Sequence, residues 1–214
     1  MAEPTVTING QKAGFWPYGY NAFKIDITPY IKAGDNQMEV DLNNLEESSR
    51  WYPGGGIYRP VTLILTGKER IDTWATFART AKIDGKKAYI DVDTKVEGID
   101  ATDKAGVEIT LYDRKGYVAA ASRCDIEADG TVKTQLDVDK PELWSPESPY
   151  LYKLTTRLYK GNRLMDEQTM NFGIRTVSVT KEGGFQLNGQ TRKIKGVCLH
   201  HDLGPLGAAI NKAA

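Results

Sequence analysis

Cysteine is scarce in this chain: two in 214 residues, which excludes a disulfide-built scaffold. Cys124 and Cys198 fall in segments assigned below to different domains, so no pairing is expected. No CxxC motif or His/Cys cluster has the spacing of a zinc site. An excess of one charge is missing as well. With 28 basic and 28 acidic residues the net charge is zero, so neither nucleic acid nor an anionic membrane is an expected partner. No run approaches the roughly 18 apolar residues that a membrane-spanning helix needs. The start, Met1-Ala-Glu-Pro-Thr5, lacks the basic and apolar regions of a secretory leader. Cytoplasm, periplasm and exterior therefore all stay open. Gly54-Gly55-Gly56 is not followed by Lys-Ser/Thr and is no phosphate loop. No cofactor is expected, and nothing in the pattern speaks to oligomeric state.

What is present is short alternating strands punctuated by turns. Thr5–Ile8 alternates and ends on Asn9-Gly10, a pair that favours positive φ. Phe23–Ile27 and Gln37–Leu42 place Phe23, Ile25 and Ile27, then Met38, Val40 and Leu42, on one face each, and Val61–Leu65 follows the glycine-rich loop. A second series comprises 71–78, 88–96, 107–113, 117–123, 132–138, 150–159 and 165–179. Tyr150, Tyr152, Leu154, Thr156 and Leu158 form its clearest stripe. About seven short strands over about 100 residues match a β-sandwich of immunoglobulin type. A third series opens with Gly184–Gln190, a hairpin signal at Asn188-Gly189, followed by an expected strand over Lys193–His200. There Gly196, Cys198, His200 and Asp202 share one parity, while Val197 and Leu199 share the other. A barrel strand turns branched apolar residues toward its helices and keeps small or polar groups inside. The alanine-rich 205–214 reads as a helix start.

Segments in all three series resemble glycoside hydrolase family 2, the β-galactosidase branch most closely. Phe15-Trp-Pro-Tyr-Gly-Tyr-Asn21 and Ser49-Arg-Trp-Tyr-Pro-Gly-Gly-Gly-Ile-Tyr-Arg-Pro60 are similar to parts of that family's sugar-binding jelly roll. Leu143-Trp-Ser-Pro-Glu-Ser-Pro-Tyr-Leu-Tyr152, with Phe172-Gly-Ile-Arg175, resembles its immunoglobulin-like domain. Phe185-Gln-Leu-Asn-Gly189, then Lys195–Asp202, resembles the start of its catalytic TIM barrel. The resemblance implies a mostly β chain in three parts. Residues 1–69 are expected to be the C-terminal half of the jelly roll, 70–180 an immunoglobulin-like β-sandwich, and 181–214 the first strand and helix start of a truncated TIM barrel. It further implies a fragment of a retaining β-glycosidase, acting on a β-galactoside oligosaccharide or polysaccharide, and inactive by itself. Retaining hydrolysis uses two carboxyls about 5–5.5 Å apart. In the family these are glutamates on later barrel strands than any visible here. The competing expectation is a non-enzymatic carbohydrate-binding or scaffolding sandwich protein.

No catalytic residue or metal ligand is assigned. His200 is the leading candidate for substrate contact. Imidazole donates from one nitrogen and accepts at the other, which suits a sugar hydroxyl. The resemblance matches it to a histidine that bonds the glycone, whereas read from the sequence alone it could equally be an ordinary core or surface histidine. His201 has the opposite parity, so the two cannot easily chelate one ion. Asp202 could accept from sugar hydroxyls or serve as a helix N-terminal acid. Trp51 and Tyr52 could stack on a sugar or pack between domains. Trp16, Tyr18 and Tyr20 form another aromatic group, with Trp16 expected as a sandwich-edge anchor. Trp144 is expected as a buried strand anchor, Arg59 and Arg175 as partners of carboxylates at domain joints, and the acid pairs Glu46-Glu47 and Asp137/Asp139 as surface groups rather than a catalytic dyad.

Overall fold

A computed structural model describes residues 2–43, 56–100, 103–198, 206 and 213. Over these residues the regular structure is β apart from a 3-10 turn at Thr28–Tyr30 and Leu206, also in 3-10 conformation. The chain divides into two compact units, Met1–Leu63 with Val197–Ala214, and Ile64–Gly196.

In the first unit, β1 (Ala2–Ile8) lies between β2 (Gln11–Phe15) and β3 (Met38–Asn43), both antiparallel to it. Alternation buries Val6 and Ile8. Asn9 and Gly10, at φ 51° and 79°, make the expected hairpin turn. The Asn9 side chain then secures β3: its Nδ2 donates to Tyr30 O at 2.9 Å, and its Oδ1 accepts from Gln37 N at 3.0 Å. Phe23–Ile27 differs from expectation, because it joins no ladder. Its alternation survives nonetheless: Phe23, Ile25 and Ile27 are half-buried while Lys24 and Asp26 are exposed. Ile25 lies so close to β2 that a Cβ on Gly14 would sit 2.5 Å from Ile25 Cδ1. Packing onto a sheet face thus produced the period of two without strand pairing. Val61–Leu65 also lacks a ladder, with Leu63 65% and Leu65 83% exposed.

The second unit carries β4 (Arg70–Ile71), β5 (Phe77–Asp84), β6 (Lys87–Glu97), β7 (Ala105–Tyr112), β8 (Val118–Cys124), β9 (Thr131–Asp139), β10 (Tyr152–Lys160) and β11 (Arg163–Phe172). One sheet centres on β6, with β9 along one edge and β4 followed by β5 along the other. The second has the order β11-β10-β7-β8. Their inner faces supply one core. Ala88, Ile90, Val92, Leu136 and Val138 come from the first sheet, and Val107, Ile109, Leu111, Leu154 and Leu158 from the second. Each such valine, leucine or isoleucine side chain stabilises the fold by about 1.5–3 kcal/mol relative to exposure. Side chains tie the sheets at both flanks. Ile71 N donates to Asp166 Oδ2 at 2.8 Å and Gln168 Nε2 donates to Ile71 O at 2.9 Å, joining β4 to β11. Across the other flank Thr134 Oγ1 donates to Ser122 Oγ at 2.9 Å.

Two expected strands are interrupted. Residues 71–78 break because the chain bulges: Ile71 faces Val96 and Phe77 faces Asp93, so the intervening loop is too long for the ladder. Residues 165–179 break after Phe172, where Gly173 meets Trp144, and resume as β12 (Val177–Thr180). β12 pairs with β13 (Gly184–Leu187), which pairs with β14 (Gln190–Thr191) around the expected Asn188-Gly189 turn, at φ 52° and 73°. Beyond it, 192–198 forms no ladder, so the strand expected over Lys193–His200 is absent in its described part. A strand needs a neighbour for its N–H and C=O groups, and among the described residues none lies beside this one.

Candidate functional site

Trp51, Tyr52, His200, His201 and Asp202 lie outside the described residues, as do Glu46-Glu47 and nearly all of the expected helix at 205–214. The other singled-out residues form distinct arrangements.

In the first unit the aromatic segment folds back on itself. Trp16, one residue past β2, donates its backbone N–H to Pro4 O at 3.0 Å and stacks on Phe23 with centroids 6.0 Å apart. Tyr18 and Tyr20 meet at 5.5 Å, and Tyr58 donates its hydroxyl to Gly19 O at 3.3 Å. All three aromatics at 16, 18 and 20 remain exposed. Amphipathic rings held this way offer flat apolar faces with polar tips.

In the second unit, three motif segments converge on Trp144. Its N–H donates to Ile174 O at 2.8 Å, its carbonyl accepts from Asn188 Nδ2 at 3.0 Å, and Asn188 Oδ1 accepts from Thr176 N at 3.0 Å. Gly173 is required because a Cβ there would stand 2.9 Å from the indole. Trp144 is half-buried in an irregular segment and not, as expected, on a strand. Arg175 departs from expectation too. It stacks over Trp144 at 5.2 Å and donates to Gly173 O at 3.1 Å, while Arg59 lies over Tyr58 at 5.3 Å. Neither arginine pairs with a carboxylate among the described residues. An aromatic face lay nearer than an acid, and a guanidinium stacks well on one. Arg192 of the β14 end pairs with Glu147, and this bond holds the Glu147 carboxyl below its ordinary range.

On the outer face of the β11-β10-β7-β8 sheet lies an open groove of about 540 Å³. At its floor, Arg157 donates to Glu167 at 2.5 Å, to Glu108 at 3.3 Å and to the Tyr112 hydroxyl at 3.0 Å. The Tyr112 hydroxyl and then Glu167 strengthen its hold on the proton. Both carboxylates are committed to one guanidinium, so this cluster braces β7, β10 and β11 instead of presenting an acid and a base. Asp137 and Asp139 likewise flank Lys87 at 3.5 and 3.6 Å, and Asp139 first, then Asp137, raises its pKa.

These features define an all-β protein whose larger unit is a sandwich braced by ion pairs. Residues 70–175, the body of that sandwich, match the family model for glycosyl hydrolases family 2. The chain belongs to that family. It is 42% identical to the β-galactosidase BoGH2A of Bacteroides ovatus, over 98% of this chain and 25% of that protein. A putative β-glucuronidase of Formosa agariphila is 39% identical, over 97% of this chain and 20% of that protein. A crystal structure of a family 2 member from Bacteroides cellulosilyticus superposes with a TM-score of 0.89 at 33% identity, covering 98% of this chain and 28% of that one. The chain thus spans about a quarter of the length of the curated relatives it matches.

Proposed function

We propose that this chain is the supporting part of a longer retaining β-galactosidase. Residues 1–69 would serve as the end of its sugar-binding jelly roll, 70–180 as an immunoglobulin-like domain and 181–214 as the start of its catalytic barrel. The observation that carries this reading is the 42% identity to a β-galactosidase along almost the whole chain. The packing of two antiparallel sheets of short strands in the second unit, four strands in each, supports the immunoglobulin-like assignment. Exposure of Val197 (88%) supports a strand whose apolar face is made for barrel helices. In this reading His200 and Asp202 bind hydroxyls of a β-galactoside oligosaccharide or polysaccharide, and Trp51 and Tyr52 flank it. Two carboxyls outside these 214 residues perform the chemistry. One protonates the leaving oxygen and the other attacks the anomeric carbon, and water then releases the sugar with retention.

A glucuronide substrate is the second reading, favoured by the 39% identical putative β-glucuronidase. A polypeptide extended through the barrel separates them. It is expected to hydrolyse 4-nitrophenyl β-galactoside in preference to the β-glucuronide, and His200→Ala is expected to lower kcat/KM about 100-fold without changing the melting temperature. Preference for the glucuronide overturns the galactoside assignment; full activity of H200A overturns the role of His200.

A further inference from the structure

The bulge between β4 and β5 carries Trp74 at φ 66°, a left-handed backbone conformation that costs energy for any bulky side chain. That cost does not secure burial, because Trp74 is 63% exposed. Beside it, at the flank where Asp166 and Gln168 tie β4 to β11, is a cavity of about 340 Å³. This lies at the lower end of the roughly 300–1,000 Å³ range of small-ligand pockets. Trp74, Thr76, Leu154, Thr156, Gln168 and Met170 line it, and no charged side chain among the described residues does.

Thr156 is the informative member. It interrupts the apolar inner stripe of β10 and is only 1% exposed. Among the described residues its hydroxyl has no hydrogen-bond partner, yet no buried polar atom there is sealed from both partner and solvent. The Thr156 hydroxyl therefore opens onto the cavity, where an unmet bond is costly. Gln168 uses its Nε2 on Ile71 O, and the Thr76 hydroxyl is shared with Thr94 at 2.9 Å. Hydroxyls and amides can each donate and accept, as sugar hydroxyls require. A flat indole beside them matches the apolar face of a pyranose ring.

We propose that this cavity is an accessory carbohydrate site that takes a neutral pyranose, stacked on Trp74 with a hydroxyl bonded to Thr156. The absence of lining charge selects a neutral sugar over a uronic acid. The inference rests on the β-galactosidase reading only for the choice of galactose.

The test is a titration of the 214-residue chain with lactose, cellobiose and sodium glucuronate, followed by the Trp74 indole N–H signal in NMR spectra. That signal is assigned by its loss in Trp74→Ala. Lactose is expected to shift it at millimolar concentration. Thr156→Val, which keeps the buried shape, is expected to weaken binding about fivefold while the melting temperature holds or rises. A response to cellobiose and not lactose keeps the site and removes galactose as its ligand. A response to glucuronate alone, no response to any sugar, or equal binding by T156V overturns the site and leaves the parent's activity unaffected. A shift that follows protein concentration but not sugar also overturns it, making Trp74 a contact between protein surfaces.

Discussion

Both units are built from alternating strands, yet they bury very different amounts of their apolar surface. In the first, Val6 and Ile8 are the buried aliphatics among the described residues, and Leu63 stays largely exposed. In the second, the apolar faces of two sheets close on each other, and the cluster from Ile71 to Ile174 is continuous. A sheet hides one face only when a second layer covers it. The second unit contains its own second layer. The described part of the first has a single three-stranded sheet, against which Ile25 of the unpaired 23–27 segment packs.

The sharpest way to break this contrast is proteolysis. Mild digestion is expected to leave a fragment near residues 64–196, with the amino-terminal strands cut first; survival of residues 1–63 instead would reverse it. Core truncation should show the same asymmetry. Leu158→Ala, at a fully buried site in β10, is expected to cost about 2–5 kcal/mol in urea unfolding. Ile8→Ala is expected to leave the second unit's transition unmoved. Gly173→Ala forces Trp144 aside and is expected to cost about 1–3 kcal/mol, in the same transition. Ser122→Ala removes one flank bond and is expected to cost about 0.5–1.5 kcal/mol.

The smallest effect concerns pH. Arg192 depresses the Glu147 carboxyl, so the pair's contribution is present at neutral pH and is lost as pH falls through that depressed value, below the ordinary glutamate range near about 4.3. Amide exchange in β13 and β14 is expected to quicken there relative to β6, and Glu147→Gln to show the faster exchange already at neutral pH. Unchanged exchange in E147Q would assign the hairpin's docking to Asn188 alone.

Much of the second unit was legible in the sequence because its strands alternate and three of its pairs, β5/β6, β7/β8 and β10/β11, join consecutive strands. Of the stripe Tyr150, Tyr152, Leu154, Thr156 and Leu158, the last four are buried in β10, while Tyr150 is half-buried just before it. Alternation misled where it reported a covered face without a ladder, as at Phe23–Ile27. It was also blind to the bulge that lifts Trp74 out of an expected strand, since a single tryptophan among β-formers carries no local sign of positive φ. Arg175 shows a third limit: sequence places a cation near a strand end but not the tryptophan face that takes it. The candidate residues His200, Asp202, Trp51 and Tyr52 fall outside the described residues, and their roles stand as part of the proposed function.

The most direct test is a chromogenic assay of the 214-residue chain itself with 4-nitrophenyl β-galactoside. The account predicts no turnover above that of a mock purification, because in the proposed function the carboxyls that break the bond lie outside these 214 residues. Turnover above the mock, abolished by substituting an acidic residue within these 214, would contradict it.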